Sequence, residues 1–313
     1  MKNSPNLPVE SRLVRTLLNG DFAVTAEITP PASCDAMQLL DKAEPLRGWV
    51  DAVNVTDGAS ARVAMSSLAA AALLVRNGIE PVLQFTCRDR NRIALQSDLL
   101  GAAALNIHNI LILRGDDPTA GDQPGAKPVF DMESRDLISA TSRMRDDGVM
   151  PSGRPLDPAP KFFVGAADTP IDPPEDWWPE GLDGKAKAGA QFVQTQLCYD
   201  IDVVRRYIAR LRDLGLTDRL FILIGIGPLA SGRSARWMRD NLWGVVMPDA
   251  VIDRLDKAVD AKREGIRICA ELLQQLSEIP GVSGAHLMAP LHMEGIPAAL
   301  EESGILKLRA ANA

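Results

Sequence analysis

The segment Phe22-Ala23-Val24-Thr25-Ala26-Glu27-Ile28-Thr29-Pro30-Pro31 reads as a short strand that ends in a carboxylate and is stopped by two prolines. Strand interiors rarely carry an acidic residue, and consecutive prolines cannot continue a hydrogen-bonded ladder. Glu27 is therefore expected at the carboxyl end of the first strand. Taken alone, this segment fits a solvated acid at a strand exit as well as a functional acid. The polar ends of the later strands favour a functional acid.

Strand-like and helix-like segments alternate along the chain after a short N-terminal helix, Val9 to Leu18. This alternation over 313 residues is typical of an α/β protein with a (β/α)8 TIM barrel. No G-x-G-x-x-G follows the first strand, which disfavours a doubly wound open sheet. We therefore predict a single barrel domain over residues 1–313. The predicted strands are 22–28, 51–56, 81–86, 109–114, 161–167, 191–197, 219–226 and 283–289.

The predicted strands become polar on one face towards their carboxyl ends. In the second strand Asn54 and Thr56 share one face while valines occupy the other, and Gln84 and Gln196 repeat this pattern in the third and sixth strands. Parallel strands that are buried on both faces usually read as continuous apolar runs. The repeated departure predicts a polar cup at the carboxyl-terminal mouth of the barrel, where TIM-barrel enzymes keep their active sites.

Two segments interrupt the alternation and predict long loops, at about 117–128 and 168–184. The first is rich in Gly and Pro, and the second carries four prolines together with Trp177 and Trp178. Long loops that follow barrel strands are commonly binding loops or lids. The tandem tryptophans fit such a loop and fit equally well a hydrophobic plug over the barrel.

Composition excludes several classes of protein. The net charge is −7 and the chain has no basic run, so neither nucleic acid nor an acidic membrane is an expected partner. Residues 1–8 lack the apolar core of a secretory signal, and no apolar stretch is long enough to span a bilayer. Four scattered cysteines and three histidines predict a cytoplasmic protein with reduced thiols and no metal site. Among the histidines, His286 is expected to pack in the core or at the rim.

Several motifs occur in an order and spacing that resemble the catalytic barrel of the methylenetetrahydrofolate reductase family, in its short form without a C-terminal extension. The resemblance covers nearly the whole chain. The motifs are Ala26-Glu27-Ile28-Thr29-Pro30-Pro31, Val53-Asn54-Val55-Thr56-Asp57-Gly58-Ala59, Leu113-Arg114-Gly115-Asp116, Ala188-Gly189-Ala190 with Gln194-Thr195-Gln196, Gly225-Ile226-Gly227-Pro228 and Gly284-Ala285-His286-Leu287-Met288-Ala289-Pro290.

The resemblance implies an FAD-bearing enzyme of one-carbon metabolism that reduces 5,10-methylenetetrahydrofolate to 5-methyltetrahydrofolate with NADH or NADPH. Glu27 would be the general acid that protonates the departing nitrogen, so that the methylene bridge opens to a reactive iminium. Asp116 would tune the flavin and orient the folate, and Gln196 would bind the folate together with both acids. The family also predicts a homo-oligomer. The implied cofactor-binding residues are Thr56, Gln84, Arg114, Gly115, Asp116, Ala166 and Lys185.

Some positions depart from the family pattern, and these departures leave alternatives open. Gln84 replaces a common histidine, and Gly181 and Gly184 stand where Asn and Arg are common. Fewer phosphate contacts would fit FMN or a loosely held flavin as well as tightly bound FAD. The same barrel could oxidise methyltetrahydrofolate in the reverse direction. It could also be a folate-dependent methyltransferase or a flavin-free folate-binding subunit of an electron-transfer complex.

Overall fold

The structure, a computed structural model, describes residues 7–307, which form a closed barrel of eight parallel strands. Each strand pairs with the next one in the chain, and the last strand closes on the first, with Ala23 beside Gly284 and Ala26 beside Leu287. The predicted α/β TIM barrel is thus confirmed. The strands are β1 (Ala23–Ile28), β2 (Ala52–Val55), β3 (Pro81–Thr86), β4 (Asn109–Leu113), β5 (Phe163–Asp168), β6 (Phe192–Leu197), β7 (Phe221–Ile226) and β8 (Gly284–Leu287).

Helices pack on the barrel, and each of them buries apolar side chains against the strands or against a neighbouring helix. Over the described range they are α1 (Arg12–Leu18), α2 (Ala36–Ala43), α3 (Ser67–Arg76), α4 (Arg92–Ala104), α5 (Ser134–Asp146), α6 (Glu180–Ala188), α7 (Ile201–Asp213), α8 (Gly232–Asn241), α9 (Asp249–Lys257), α10 (Ala261–Ser277) and α11 (Gly295–Ser303). Residues 1–6, which the secretory-signal expectation includes, lie outside the described part of the chain.

The predicted loop at 168–184 is shorter than the sequence indicated. It runs from the end of β5 to Pro179, and α6 begins at Glu180. The four prolines that predicted the loop all precede this helix, and its two glycines lower its intrinsic helix propensity. Acidic side chains in its first turn, Glu180 and Asp183, and tertiary packing of Leu182 stabilise the helix instead.

Apolar side chains form two layers, one outside and one inside the barrel, because successive residues of a strand point to opposite faces. Outward-facing residues such as Val53 and Val55 pack against the helices. Inward-facing Phe163, Phe192 and Phe221 fill the amino-terminal half of the interior, and the first two rings stack with centroids 4.6 Å apart. Aromatic packing fills this end of the interior, which leaves the opposite mouth as the place for polar chemistry.

Helix α1 closes the amino-terminal end of the barrel through a carboxylate. Glu80, just before β3, accepts hydrogen bonds from the backbone amides of Arg12 and Leu13, at 2.6 and 3.1 Å. It also accepts from the side chains of Ser11 and Asn109, at 2.6 and 2.9 Å. These amides belong to the first turn of the helix, which has no internal acceptors for them.

Replacement of Glu80 should therefore destabilise the fold without changing any residue at the carboxyl-terminal mouth of the barrel. We expect Glu80→Ala to lower the free energy of unfolding by about 3 kcal/mol, because four donors lose a charged acceptor. Chemical denaturation measures this change. Glu44→Ala is the matched control, since the Glu44 ion pair with Arg47 is solvent-exposed and should give no measurable change. Equal stability of the two variants would show that Glu80 does not hold α1.

Candidate active site

Glu27 lies at the carboxyl end of β1 and faces the mouth, as the sequence predicted, with a side chain that is 25% exposed. The Gln84 amide, from β3, donates a hydrogen bond of 2.5 Å to Glu27 Oε2. The same oxygen lies 3.7 Å from His286 Nε2 on β8. Glu27 Oε1 has no hydrogen-bond partner among the described residues. The carboxyl group is thus held on one oxygen and open on the other.

A buried polar chain continues from His286 into the barrel. Thr25 Oγ1 lies 2.9 Å from His286 Nδ1 and accepts a hydrogen bond of 2.9 Å from Gln194 Nε2. Gln194 and Asn54 pair through both of their amides, at 2.6 and 3.0 Å. All four residues are at most 2% exposed. Each group finds a partner across the barrel, which makes the interior a rigid support for Glu27.

Thr56 follows β2 on the same face as Asn54 and is 3% exposed. Its Oγ1 has no hydrogen-bond partner within residues 7–307. A buried hydroxyl without a partner is costly, so its presence at the mouth fits a ligand that completes it. The family resemblance implied a cofactor-binding role for this residue.

The neighbouring Asp57 has a structural role that sequence reasoning did not find. Its carboxylate accepts from the backbone and hydroxyl of Thr86, both at 2.9 Å, from Ser67 Oγ at 3.0 Å and from the Arg90 guanidinium. Asp57 therefore ties β2 to β3 and to α3 at the mouth. Oδ2 accepts three of these hydrogen bonds and Oδ1 one, so most of the accepting capacity of Asp57 is used within the fold.

The Arg114-Gly115-Asp116 segment leaves β4 in a backbone conformation that requires glycine. Gly115 has a φ of +91°, and a Cβ at this position would lie 3.0 Å from the Cβ of Arg88. Asp116 Oδ2 accepts from the Ser60 backbone amide at 2.9 Å. Asp116 is exposed, and this hydrogen bond joins the end of β4 to the loop after β2.

Arg114 is also largely exposed. Its guanidinium stacks 4.2 Å above the Phe130 ring, and its Nε lies 3.7 Å from Glu133 Oε2. The exposed position and the weak ion pair leave it free to contact a ligand.

Two of the implied cofactor-binding residues, Lys185 and Ala166, lie beside and within the carboxyl-terminal part of β5, and they differ in what they can offer a ligand. Lys185 Nζ donates a 2.6 Å hydrogen bond to the Ala167 carbonyl, and burial lowers the pKa of this lysine against the charge of Asp168. The Ala166 side chain is fully buried in the layer between strands and helices, so only its backbone could reach a cofactor. Alternate side chains of β5 point to opposite faces, and this pattern places Ala166 on the outer face. The sequence could therefore have excluded a contact between the Ala166 side chain and a cofactor.

Asp168, at the end of β5, forms a buried pair with Tyr207 of α7. The Tyr207 hydroxyl donates to Asp168 Oδ2. Burial raises the pKa of Asp168, although this hydrogen bond and the charge of Lys185 act in the opposite direction. Trp177 packs on the Tyr207 ring with centroids 5.9 Å apart, and its carbonyl accepts from Arg210. These contacts pack Trp177 against α7 in the outer helix layer, whereas Trp178 is exposed.

Gln196 ends β6 at the mouth, and its amide contacts the loop after α8. Its Nε2 donates to the Trp243 carbonyl at 3.0 Å, and its Oε1 accepts from the Leu197 amide at 2.9 Å. One N–H and one lone pair remain for a substrate. Trp243 itself is 83% exposed, whereas Met238 on α8 is buried in the core. Gln196 thus contacts the backbone of an exposed tryptophan, a neighbour that sequence reasoning missed.

Two basic side chains, Arg135 and Lys185, lie close together beside the carboxyl end of β5, where they could pair with the phosphates of a dinucleotide. A Cβ at Gly184 would lie 2.6 Å from Cζ of Arg135, so the guanidinium of α5 occupies the place of a residue-184 side chain. Arg135 is close enough to Lys185 to lower its pKa electrostatically. Together with the unpaired hydroxyl of Thr56, these cations make the described residues compatible with a flavin dinucleotide.

A family model described as methylenetetrahydrofolate reductase matches residues 12–304. The chain belongs to this family. Its relatives include a probable methylenetetrahydrofolate reductase (NADPH) of Caenorhabditis elegans, 26% identical over 79% of this chain and 36% of the relative. Methylenetetrahydrofolate reductase 2 of Saccharomyces cerevisiae is 27% identical over 70% of this chain and 36% of its own length. The chain thus spans about a third of the length of these relatives.

Solved structures with the same fold are more distant in sequence. A Clostridium thermocellum protein described as binding two copies of 5-methyl-5,6,7,8-tetrahydrofolic acid superposes with a TM-score of 0.59 at 14% identity, covering 93% of this chain and 98% of the other. The Bacillus cereus spore cortex-lytic enzyme SleL gives a TM-score of 0.53 at 10% identity, covering 90% and 74%. At these identities the likeness supports the barrel fold alone.

Within residues 7–307, no helix is both long and apolar enough to cross a bilayer. In the same range, no three His, Cys, Asp or Glu side chains cluster in a way that could hold a metal ion.

Proposed function

We propose that this chain reduces 5,10-methylenetetrahydrofolate to 5-methyltetrahydrofolate with electrons from NADH or NADPH, by way of a flavin. The proposal rests on the Glu27 carboxyl group, which lies at the mouth. Its Oε2 accepts a hydrogen bond from Gln84, and its Oε1 is open to a ligand. Two findings support a folate as the substrate. The chain belongs to the methylenetetrahydrofolate reductase family, and the C. thermocellum protein with the same fold binds 5-methyl-5,6,7,8-tetrahydrofolic acid.

Glu27 supplies the proton that opens the methylene bridge. When the carboxyl gives its proton to the departing nitrogen, the carbon–nitrogen bond breaks and the remaining nitrogen forms an iminium with the methylene carbon. Hydride addition to that carbon then yields the methyl group. The Gln84 amide stabilises the carboxylate that proton donation leaves behind, because its N–H already points at Oε2.

A bound flavin would carry the hydride between nicotinamide and folate. The residues that would hold it are Thr56 by its unpaired hydroxyl, Gly115 by the close approach of its backbone, and Lys185 with Arg135 by charge. FAD is the flavin typical of this family, and its two linked phosphates offer one anionic group to each of the two cations.

The experiment that tests the proposal is an anaerobic absorption titration of the full chain. After addition of FAD, NADH should bleach the flavin bands, and methylenetetrahydrofolate should then restore them while methyltetrahydrofolate forms. Bands that bleach and do not return with folate would overturn the proposed substrate. No flavin binding with either FAD or FMN would overturn the proposed cofactor and favour a flavin-free folate-binding subunit.

We expect Thr56→Val to weaken flavin binding by about 10-fold, because the variant keeps the shape of the side chain and removes its one hydroxyl. Equilibrium titration followed by flavin fluorescence measures the affinity. Thr119→Val serves as a control, since the Thr119 hydroxyl bonds Asp117 on the exposed loop after β4. Equal affinities in the two variants would remove Thr56 from the cofactor site.

Asp116→Asn should slow the folate half-reaction by about 10-fold without abolishing it, because a positioned charge near a cationic intermediate contributes less than the proton donor. Stopped-flow reoxidation of the flavin by methylenetetrahydrofolate measures the rate. The amide can no longer accept as strongly from Ser60, so thermal stability should be measured in parallel. A rate equal to that of the wild type would exclude Asp116 from the mechanism.

A further inference from the structure

The hydrogen bonds below Glu27 determine which nitrogen of His286 carries a proton. Thr25 Oγ1 accepts from Gln194 Nε2, and the Thr25 side chain is fully buried. Its hydroxyl hydrogen needs an acceptor, because a buried hydroxyl hydrogen without one is costly. Among the described residues the remaining partner of Oγ1 is His286 Nδ1, at 2.9 Å.

His286 Nδ1 therefore accepts the Thr25 hydrogen bond, and the proton of the imidazole lies on Nε2. This nitrogen faces Glu27 Oε2 at 3.7 Å, beyond hydrogen-bond length but near enough for electrostatic attraction. Catalytic hydrogen bonds are often long in the free protein and shorten in the substrate complex. Gln84 approaches the same oxygen from β3, two strands away from β1, whereas His286 lies on the adjacent β8, so two N–H groups from opposite sides of β1 converge on Oε2.

We propose that His286 is a positioning residue for Glu27. Its Nε2–H group and the Gln84 amide together hold Oε2, so that Oε1 is the oxygen that gives its proton to the substrate. The hydrogen-bonded chain of Thr25, Gln194 and Asn54 keeps the imidazole proton of His286 on Nε2, because Thr25 donates a hydrogen bond to Nδ1. The kinetic part of this inference rests on the proposed reductase activity, whereas the tautomer does not.

The tautomer can be measured by long-range ¹H–¹⁵N correlation on ¹⁵N-histidine-labelled full-length protein, which contains only three histidines. His286→Gln identifies the resonances of His286 by their loss. We expect a proton on Nε2 and none on Nδ1 in the wild type, and loss of this preference in Thr25→Val. A proton on Nδ1, alone or together with one on Nε2, would overturn the assignment whether or not the protein is a reductase.

The positioning role is tested in the separate half-reactions. His286→Leu should slow flavin reoxidation by methylenetetrahydrofolate about 10-fold, because Glu27 loses one of the two N–H groups that orient its carboxyl group. Flavin reduction by NADH should not change. His286→Gln should recover most of the lost rate, because its amide can donate to Glu27 and accept from Thr25.

His108→Gln is the matched control, since this imidazole lies at the amino-terminal end of the barrel, where its Nδ1 contacts the Lys161 carbonyl. Its half-reactions should equal those of the wild type. A folate rate in His286→Leu equal to that of the control would overturn the positioning role, as would equal losses in both half-reactions. If the wild type does not reduce folate at all, the proposed function fails while the tautomer measurement still stands.

Discussion

Replacement of Glu27 by Gln is expected to abolish reduction of methylenetetrahydrofolate while leaving flavin reduction by NADH intact. Glutamine keeps the size and the hydrogen bond with Gln84 but cannot donate a proton as an acid. General acid catalysis contributes about 10²- to 10⁴-fold, so the folate half-reaction should fall by at least about 100-fold. Anaerobic stopped-flow absorbance resolves the two half-reactions in one preparation.

Glu133→Gln provides the control for the loss of one negative charge near the mouth. Glu133 is exposed and lies beside Arg114, away from the Glu27 carboxyl group. Its half-reactions should match those of the wild type apart from small changes in flavin affinity. If Glu27→Gln slowed both half-reactions together, the general-acid assignment would be wrong, because nicotinamide oxidation needs no proton from Glu27.

The second large effect is expected inside the barrel, at Gly165 on β5. A Cβ at this inward-facing position would lie 2.2 Å from the Phe192 ring, which already stacks on Phe163. Neither ring can move away without displacing the other from the closed interior. We expect Gly165→Ala to lower the free energy of unfolding by about 3 kcal/mol.

Gly181→Ala is the matched control for this substitution. A Cβ on Gly181 meets nothing within 4 Å, and the residue lies in α6, where alanine has the higher helix propensity. This variant should be more stable than the wild type by up to about 1 kcal/mol. Urea unfolding of both variants gives the comparison. Equal stabilities would show that the barrel interior tolerates a methyl group at position 165.

Local periodicity was sufficient to predict the barrel and the polar side of its mouth. A strand places alternate side chains on opposite faces, so the inward direction of Glu27, Thr56 and Gln84 followed from sequence position alone. The same rule would have placed Ala166 in the outer layer, had it been applied to the side chain. Helix α6 was missed because its glycines lower local propensity, and propensity is a weaker determinant than tertiary packing.

The sequence by itself determined which strand positions face the interior near the mouth of the barrel. Only the tertiary structure decided which of these side chains are in contact with one another. Thr25 and His286 are 261 positions apart and meet because β8 closes on β1. Barrel closure likewise brings Gln84 onto Glu27, turns Asp116 towards Ser60 and leaves the Thr56 hydroxyl without a partner. Such contacts depend on strand register and loop path, which are properties of the whole barrel and cannot be derived from any local segment.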